Sequence, residues 1–289
     1  MKQKIWRIIY ALFRIQFFER ILKFFIAGKY NDAYIIRFVP PFESYPNPTY
    51  RVAKKNGLRL HANLHDYNDW KAYWGILEYE RQNLYKLAEK SKIVIDVGTN
   101  NGWVLLNIAN IISKNGGFIY GFEPFPDTYN RCIENIRSSG ITNAQVFNKG
   151  CGETESSFKM KVVADTNSGQ NRIVDENIEQ QTNTVEVFVT TLDTQLSNIE
   201  KIDLIKIDVE GFELHVLKGA EDLLTKYRPI IFIEINDPLL KANKTTPWEV
   251  LNLLKTKYNY KLTNALNGKL IDNSYNLDNI QLDVIGYPA

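Results

Sequence analysis

From Lys92 onwards, short apolar runs alternate with helical segments, and this alternation restricts the chain to an α/β architecture. The run KIVIDVG (Lys92–Gly98) is short and rich in β-branched residues, as buried strands are. WVLLNIANIISKNGG (Trp103–Gly117) has helical spacing and ends in glycine. A second strand (Phe118–Pro124), a second helix (Asp127–Gly140) and a third strand (Ala144–Gly150) follow. This β-α-β-α-β order predicts a parallel sheet with right-handed crossovers.

The second half of the chain first loses this regularity and then regains it. Two strands are predicted at Ser156–Ala164 and Asn183–Asp193, and the polar stretch Asp165–Thr182 between them is predicted as a surface loop of the kind that often covers a substrate. The alternation then resumes with a strand (Asp203–Gly211), a helix (Glu213–Tyr227), a strand (Pro229–Asp237), a helix (Pro247–Asn259), a hairpin (Tyr260–Ile271) and a last strand (Ile280–Pro288). Because only a short non-helical connection precedes the last strand, we expect it to pair antiparallel.

We divide the chain into an N-terminal helix with a proline-rich connector (1–50), a lead-in of strand and helix (51–91) and the main domain (92–289). The lead-in is predicted as a strand or short hairpin over Gly57–Tyr67 and a helix over Asp69–Ser91. The apolar segment Ile5–Lys29 is predicted to be helical. Basic residues interrupt it, and a charged side chain at the centre of a membrane-spanning helix costs about 2.5–3.5 kcal/mol, so we reject a membrane-spanning helix. Two interpretations remain. The helix packs on its own domain or on a twin subunit in a homodimer, or it lies in a membrane interface with its basic residues facing anionic lipid.

Composition excludes several classes of protein. A net charge of +2 is too small to indicate nucleic-acid binding. The two cysteines, Cys132 and Cys151, make neither a disulfide framework nor a zinc site. Without an evident cleavable signal peptide, we expect a cytoplasmic protein, at the inner face of the membrane if the N-terminal helix contacts lipid.

Polar residues and glycines collect where the five predicted parallel strands end. In an open α/β sheet, ligands bind at the carboxyl ends of the strands, near the point where the strand order reverses. The residues at these ends are Asp96, Gly98, Asn100 and Gly102, then Glu123 and Pro124, then Asn148, Lys149 and Gly150, then Asp208 and Glu210, and finally Glu234 and Asn236. Acidic groups dominate, and the phosphate-binding pattern G-x-x-x-x-G-K-[ST] is absent from the sequence.

Two acids among these residues indicate the kind of ligand. Glu123 ends the second strand after a glycine turn, and a carboxylate at that place accepts hydrogen bonds from both hydroxyls of a ribose. The turn contains Gly98-x-x-x-Gly102 and not G-x-G-x-x-G, and Asn100 stands where a middle glycine would approach a pyrophosphate. Asp96, just before the turn, repels a pyrophosphate and suits a cation. These features favour S-adenosylmethionine, a sulfonium that carries an ammonium group.

Four segments in the same order resemble the FkbM family of S-adenosylmethionine-dependent methyltransferases: VIDVGTNNGW, GFEP, LIKIDVEGFELHVLKGA and IFIEIN. The family's first motif usually reads D-V-G-A-N-x-G and its fourth D-x-E-G-x-E-x-x-x-L-x-G. The matches run from about Tyr79 to Ile285, with Thr99 where alanine is usual and Lys149 as a further departure, while the first 70 residues match no motif.

The resemblance implies an α/β fold with the Rossmann-like sheet of class I methyltransferases, mostly parallel with an antiparallel last strand, and an N-terminal helical extension. It implies that Gly98 and Gly102 let the backbone approach the methionine part of the cofactor and that Asp96 and Asn100 hold that part. The other implied cofactor contacts are Glu123 at the ribose, Gly150 at the adenine, and Pro124 and Asp208. The implied reaction is methyl transfer to a hydroxyl, often on a sugar, a glycan or a lipid-linked saccharide.

Transfer to a neutral alcohol needs a base, and the candidates are Asp208, Glu210 and Glu234. The same acids suggest Mg²⁺, held by Asp208 with Glu234 or Asn236, an alternative that we do not favour. Two other functions stay open. One is a nicotinamide-dependent oxidoreductase on the same type of sheet, and the other is a non-catalytic binding subunit that kept the fold.

Overall fold

The computed structural model describes residues 2–161, 172–173 and 184–289. The strands in these ranges are β1 (Tyr50–Lys55), β2 (Leu58–Asn63), β3 (Ile93–Val97), β4 (Phe118–Phe122), β5 (Ala144–Phe147), β6 (Gly150–Cys151), β7 (Ser156–Lys161), β8 (Arg172–Ile173), β9 (Thr184–Thr190), β10 (Leu204–Ile207), β11 (Ile230–Asn236), β12 (Tyr260–Asn264) and β13 (Gln281–Pro288). The helices are α1 (Lys2–Phe13), α2 (Gln16–Ile26), α3 (Tyr67–Trp74), α4 (Tyr79–Ala88), α5 (Trp103–Ile112), α6 (Pro126–Ser138), α7 (Leu192–Gln195), α8 (Glu213–Lys218), α9 (Glu221–Tyr227), α10 (Asp237–Ala242) and α11 (Pro247–Asn252).

Among the described strands, seven form the central sheet, in the order β12-β13-β11-β10-β3-β4-β5. β11, β10, β3, β4 and β5 are parallel to one another, and β13 is antiparallel to both β11 and β12. The prediction of a mostly parallel sheet with an antiparallel last strand is therefore confirmed. The chain runs outward from β3 through β4 and β5, then returns to the other side of β3 through β10. This reversal opens a crevice at the carboxyl ends of β3 and β10.

Both faces of the sheet are covered, as expected for a parallel sheet whose strands are almost wholly apolar. On one face, Ile95 and Ile205 belong to a buried cluster that includes residues of α8, α9 and α11. On the other face, Val94 and Leu204 pack with residues of α4, α5 and α6. Alternate residues of β3 and β10 enter opposite clusters, so the period-2 pattern of the strands sets the position of each side chain relative to the sheet.

Three helices that we predicted as continuous are interrupted. Ile5–Lys29 forms α1 and α2, because Ile15 adopts an extended backbone between them. Asp69–Ser91 forms α3 and α4, and α3 ends at Gly75 in a left-handed conformation (φ 67°), which favours glycine. Glu213–Tyr227 forms α8 and α9, and α8 ends at Gly219, where a Cβ atom would lie 1.8 Å from the Gly152 oxygen. No helix in the described residues is long and apolar enough to span a membrane.

A second sheet, which we did not predict as separate, pairs β6, β9, β7 and β8. Most of the predicted loop Asp165–Thr182 lies outside the described residues. The exception is β8, which pairs antiparallel with β7 and is therefore strand and not loop. The lid role predicted for this loop stays a prediction.

The N-terminal region forms a small module against the main domain. β1 and β2 pair as a hairpin through Asn56 and Gly57, both with positive φ, so the hairpin begins upstream of the predicted Gly57–Tyr67. Asp69 of α3 is fully buried and accepts hydrogen bonds from Asn101 and Arg131. This carboxylate connects the module to the turn after β3 and to α6.

Candidate active site

A cavity of about 450 Å³ lies at the carboxyl ends of β3, β4, β10 and β11. This volume is typical of small-molecule sites, which measure roughly 300–1,000 Å³. Eight of the ten predicted site residues line it: Gly98, Asn100, Glu123, Pro124, Gly150, Asp208, Glu210 and Glu234. The other two, Asp96 and Gly102, are not among the lining residues.

The turn after β3 is shaped by its own packing. The amides of Gly98 and Thr99 both donate to the oxygen of Phe122, each at 3.0 Å. Gly98 has φ 81°, and a Cβ atom there would lie 1.8 Å from the Asp208 oxygen. Only glycine therefore allows the loops after β3 and β10 to approach this closely.

Gly102 has a packing role, and its predicted approach to the methionine part of a cofactor stays a prediction. It has φ 85°, and a Cβ atom there would meet the Cys132 sulfur of α6 at 2.7 Å. Its glycine is explained by the contact between the turn and α6.

Glu123 is held at the end of β4 by backbone amides. Its Oε2 accepts from the Asn100 amide at 2.8 Å and its Oε1 from the Phe125 amide at 3.0 Å. Burial raises the pKa of this carboxyl to about 7, although the two amides act to lower it. Each carboxylate oxygen has a second lone pair, so a side chain that lines the cavity can still accept two hydrogen bonds from a ligand.

Asp96 is paired with a lysine that we did not single out from the sequence. Lys206 Nζ lies 3.1 Å from Asp96 Oδ1 and 3.5 Å from Asp208 Oδ2, and it donates to the Gly98 oxygen at 2.8 Å. Burial opposes the charge on Lys206, but the two carboxylates outweigh it and raise its pKa above the ordinary value. The Asp96 carboxylate is fully buried and paired with Lys206, and its predicted contact with a cationic ligand stays a prediction. Asp208, 39% exposed, presents its carboxylate to the cavity instead.

A pair of acids occupies the β11 side of the cavity. Glu234 lies opposite Asp283 in the register of β11 and β13, and both line the cavity. Burial and the charge of Asp208 raise the pKa of both carboxyls, that of Asp283 to about 7. Glu234 Oε1 accepts from Gln281 Nε2 at 2.8 Å. Glu210 also lines the cavity, and its backbone is left-handed (φ 55°).

The residues suggested as magnesium ligands are only partly brought together, with Asp208 and Glu234 lining the cavity. Asn236, one of the suggested ligands, is absent from the lining and caps α10 by accepting from the Leu239 amide at 3.4 Å. In the part of the chain that the structure describes, no group of three or more His, Cys, Asp or Glu residues is placed to hold a metal ion.

The wall opposite the sheet comes from α3, α4 and the segment between them. Lys71 forms an ion pair with Glu78 and lies 4.6 Å from the ring centre of Tyr67. Arg81 Nη1 lies 3.2 Å from Glu78 Oε2. All four residues line the cavity, so the lead-in that we separated from the main domain forms one side of the site.

Sequence reasoning missed Lys206, Asp283 and this opposite wall. For Lys206 a signal was present, since a lysine inside the apolar run LIKI requires a buried carboxylate partner. Asp283 is likewise a single acid within an apolar strand. Nothing in the sequence indicates that α3 and α4 reach the carboxyl ends of the strands.

Relatives of the chain are methyltransferases. It is 29% identical over 154 residues to the hexuronic acid methyltransferase AglP of Haloferax volcanii, an alignment that covers 53% of this chain and 59% of that protein. It is 24% identical over 192 residues to the 2-O-methyltransferase NoeI of Sinorhizobium fredii, covering 62% of this chain and 77% of that one. A crystal structure of an FkbM methyltransferase from Methylobacillus flagellatus shares 16% identity with a TM-score of 0.44, covering 96% of this chain and 61% of that one. The chain thus spans about three fifths of two of these three proteins.

The family model described as the methyltransferase FkbM domain matches residues 96–262. The match begins at Asp96 and continues to β12, and so includes the turn after β3, Glu123 and the loop after β10. It covers more than half of the chain, which therefore belongs to the FkbM methyltransferase family.

Proposed function

We propose that the protein is an S-adenosylmethionine-dependent O-methyltransferase that acts on a hydroxyl of a sugar, a glycan or a lipid-linked saccharide. One observation carries the cofactor assignment. The amides of Asn100 and Phe125 orient the Glu123 carboxylate beside the turn after β3, where a ribose lies in this type of sheet.

The residues of the cavity suit this cofactor. Gly98 and Asn100 lie beside the amino-acid part, Glu123 accepts from the ribose hydroxyls, and Pro124 and Gly150 flank the adenine. Asp208, which lines the cavity, faces the cationic end of the ligand. Bound there, the cofactor supplies an electrophilic methyl group on a sulfonium, and the protein must bring an acceptor oxygen close to it.

The wall formed by α3 and α4 is the acceptor side. Of the four aromatic residues of α3, Tyr73 and Trp74 are buried, and Trp70 donates to the Pro40 oxygen at 2.9 Å. Tyr67 is 38% exposed and lines the cavity, so it is the aromatic ring available to stack on a sugar. The names of AglP and NoeI, which act on a hexuronic acid and at a 2-oxygen, support a saccharide hydroxyl as the acceptor.

We assign the base to the pair of Asp283 and Glu234. Asp283, with a pKa of about 7, ionises near neutral pH and is suited to accept the proton of the acceptor hydroxyl. Burial and the charge of Asp208 raise the pKa of Glu234 as well, so it retains its proton more readily and donates a hydrogen bond that orients the acceptor. Asp208 and Glu210, the other candidates from the sequence, assist through their charge.

The test has two arms that use the same purified protein. In the first, calorimetry measures the binding of S-adenosylmethionine, S-adenosylhomocysteine and NAD. We expect the first two to bind and NAD not to bind. Binding of NAD alone supports the oxidoreductase, and the absence of any S-adenosylmethionine binding refutes the proposal.

The second arm measures transfer of a labelled methyl group to glycan and lipid-linked saccharide fractions of the host. We expect label in a saccharide, in an ether that is stable to mild base. Cofactor binding without transfer to any fraction supports the non-catalytic binding subunit and contradicts the assigned reaction.

A further inference from the structure

The N-terminal helices expose an apolar surface. It consists of Ile5, Ile8 and Leu12 on α1 and Phe17, Ile21 and Phe24 on α2, which are between 40% and 81% exposed. In each helix the three residues are spaced three or four positions apart, so they form one stripe. We call these six residues the N-terminal apolar surface.

The opposite side of α2 anchors the helix to the domain. Leu22 and Ile26 are buried in a cluster that includes Leu60 and Trp74. Glu19, on the same side, is also buried, 3.0 Å from Arg51 through its Oε1, and accepts from the Tyr73 hydroxyl. The outward stripe is therefore held in place by packing on the inner side, as in an interfacial helix with two distinct faces.

Charge around this surface is almost wholly positive. Residues 1–30 contain seven Lys and Arg and one Asp or Glu, whereas the remainder contains 28 and 32. The single acid is Glu19, which faces the interior. Lys4, Arg7 and Arg20 are exposed on the same two helices as the apolar stripes. A surface that combines large apolar residues with cations matches the interface of an anionic bilayer. A symmetric dimer through the same surface would bring these cations together.

The end of α2 leads directly to the cavity. The Gly28 amide donates to the Gly75 oxygen at 2.9 Å, and the rings of Tyr30 and Tyr79 stack with their centres 3.9 Å apart. The next residue, Asn31, lines the cavity. A surface that rests on α2 would thus lie next to the acceptor side of the site.

We propose that the N-terminal apolar surface binds the surface of an anionic phospholipid bilayer without crossing it. The binding itself is independent of the proposed function. One consequence does rest on that function, namely that the acceptor is carried by a lipid, because the bilayer then presents it beside α3 and α4.

The full chain is tested by flotation with vesicles of phosphatidylglycerol and phosphatidylcholine, and with vesicles of phosphatidylcholine alone. We expect binding to the anionic vesicles, weakened by added salt. The triple substitution Ile8→Ser, Phe17→Ser and Phe24→Ser should weaken it by about tenfold or more, because each side chain loses its burial in the interface. The matched control, Leu266→Ser with Leu270→Ser, removes two residues exposed to 50% and 51% elsewhere and should bind as the unchanged protein does.

A charge variant, Lys4→Gln with Arg7→Gln, provides a second test that needs no apolar substitution. We expect its affinity for the anionic vesicles to fall by about tenfold and its affinity for S-adenosylmethionine to stay unchanged. The proposal is overturned if the unchanged protein does not float with anionic vesicles, if both variants bind as it does, or if sedimentation shows a dimer that the triple substitution dissociates. Cofactor binding, measured on the same samples, reports separately on the proposed function.

Discussion

Replacing Glu123 by glutamine tests the central residue of the site through stability and binding at once. Glutamine keeps the shape of the side chain but places an NH₂ group where one carboxylate oxygen accepts from a backbone amide. One buried amide then loses its acceptor, which costs about 1–3 kcal/mol. The variant also removes a carboxyl whose pKa is raised by burial from 4.5 to about 7.

The sign of the pH dependence follows from that raised pKa. The folded protein holds the proton of Glu123 more tightly than the unfolded chain does. The contribution of this group therefore leaves the free energy of unfolding highest below about pH 4.5 and lowers it as pH rises to about 7. Between about pH 5 and pH 8, this single group removes about 2–3 kcal/mol from the free energy of unfolding. Glutamine does not titrate. We therefore expect the variant to be less stable than the unchanged protein at about pH 5 and to recover by about 2–3 kcal/mol relative to it at about pH 8.

Urea unfolding at the two pH values measures this change, and calorimetry measures cofactor affinity. We expect the variant to bind S-adenosylmethionine about 10- to 100-fold more weakly, because hydrogen bonds from the ribose to a charged acceptor are lost.

Glu213 offers a matched control. It is buried, burial raises its pKa to about 7, and it accepts from the amides of Val209 and Gly211, but it does not line the cavity. Glu213→Gln should show the same dependence of stability on pH with unchanged cofactor affinity. A stability difference that is constant with pH would refute the reasoning about the buried carboxyl, and an equal loss of affinity in both variants would refute the ribose role.

Two further predictions concern the charges beside the cofactor site. Asp283→Asn should lower the rate of methyl transfer by about 10²- to 10⁴-fold and abolish the rise in rate as pH passes through about 7. Glu234→Gln keeps a hydrogen-bond donor and should lower the rate less. Equal effects of the two substitutions in a pH–rate series would contradict these roles. Lys206→Met should lower the free energy of unfolding by about 3–5 kcal/mol, because Asp96 is left buried without its cation, and the added change Asp96→Asn should restore much of it. Denaturation curves of the single and double variants check this, and a single variant as stable as the unchanged protein would disprove the pairing.

The kinds of element and their order in the main domain could be predicted from the sequence, because both depend on local periodicity. Residues close together in the sequence are enough to recognise the β-branched runs of β3 and β10 and the helical spacing of α5. Helix boundaries were harder to predict from the sequence. The end of α8 at Gly219 depends on a backbone contact with Gly152, in a distant part of the chain.

For the site, the sequence by itself determined that Gly98, Asn100 and Glu123 lie near one another, because strand ends in a parallel sheet converge at one edge. Only the tertiary structure decided what each charge does. Asp96 had no identified protein partner until the register of β3 and β10 placed Lys206 beside it. The same holds for Asp283, which meets Glu234 only through the antiparallel pairing of β13. A strand pattern shows that a residue is buried, but the partner of a buried charge is set by registers between strands that are far apart in the chain.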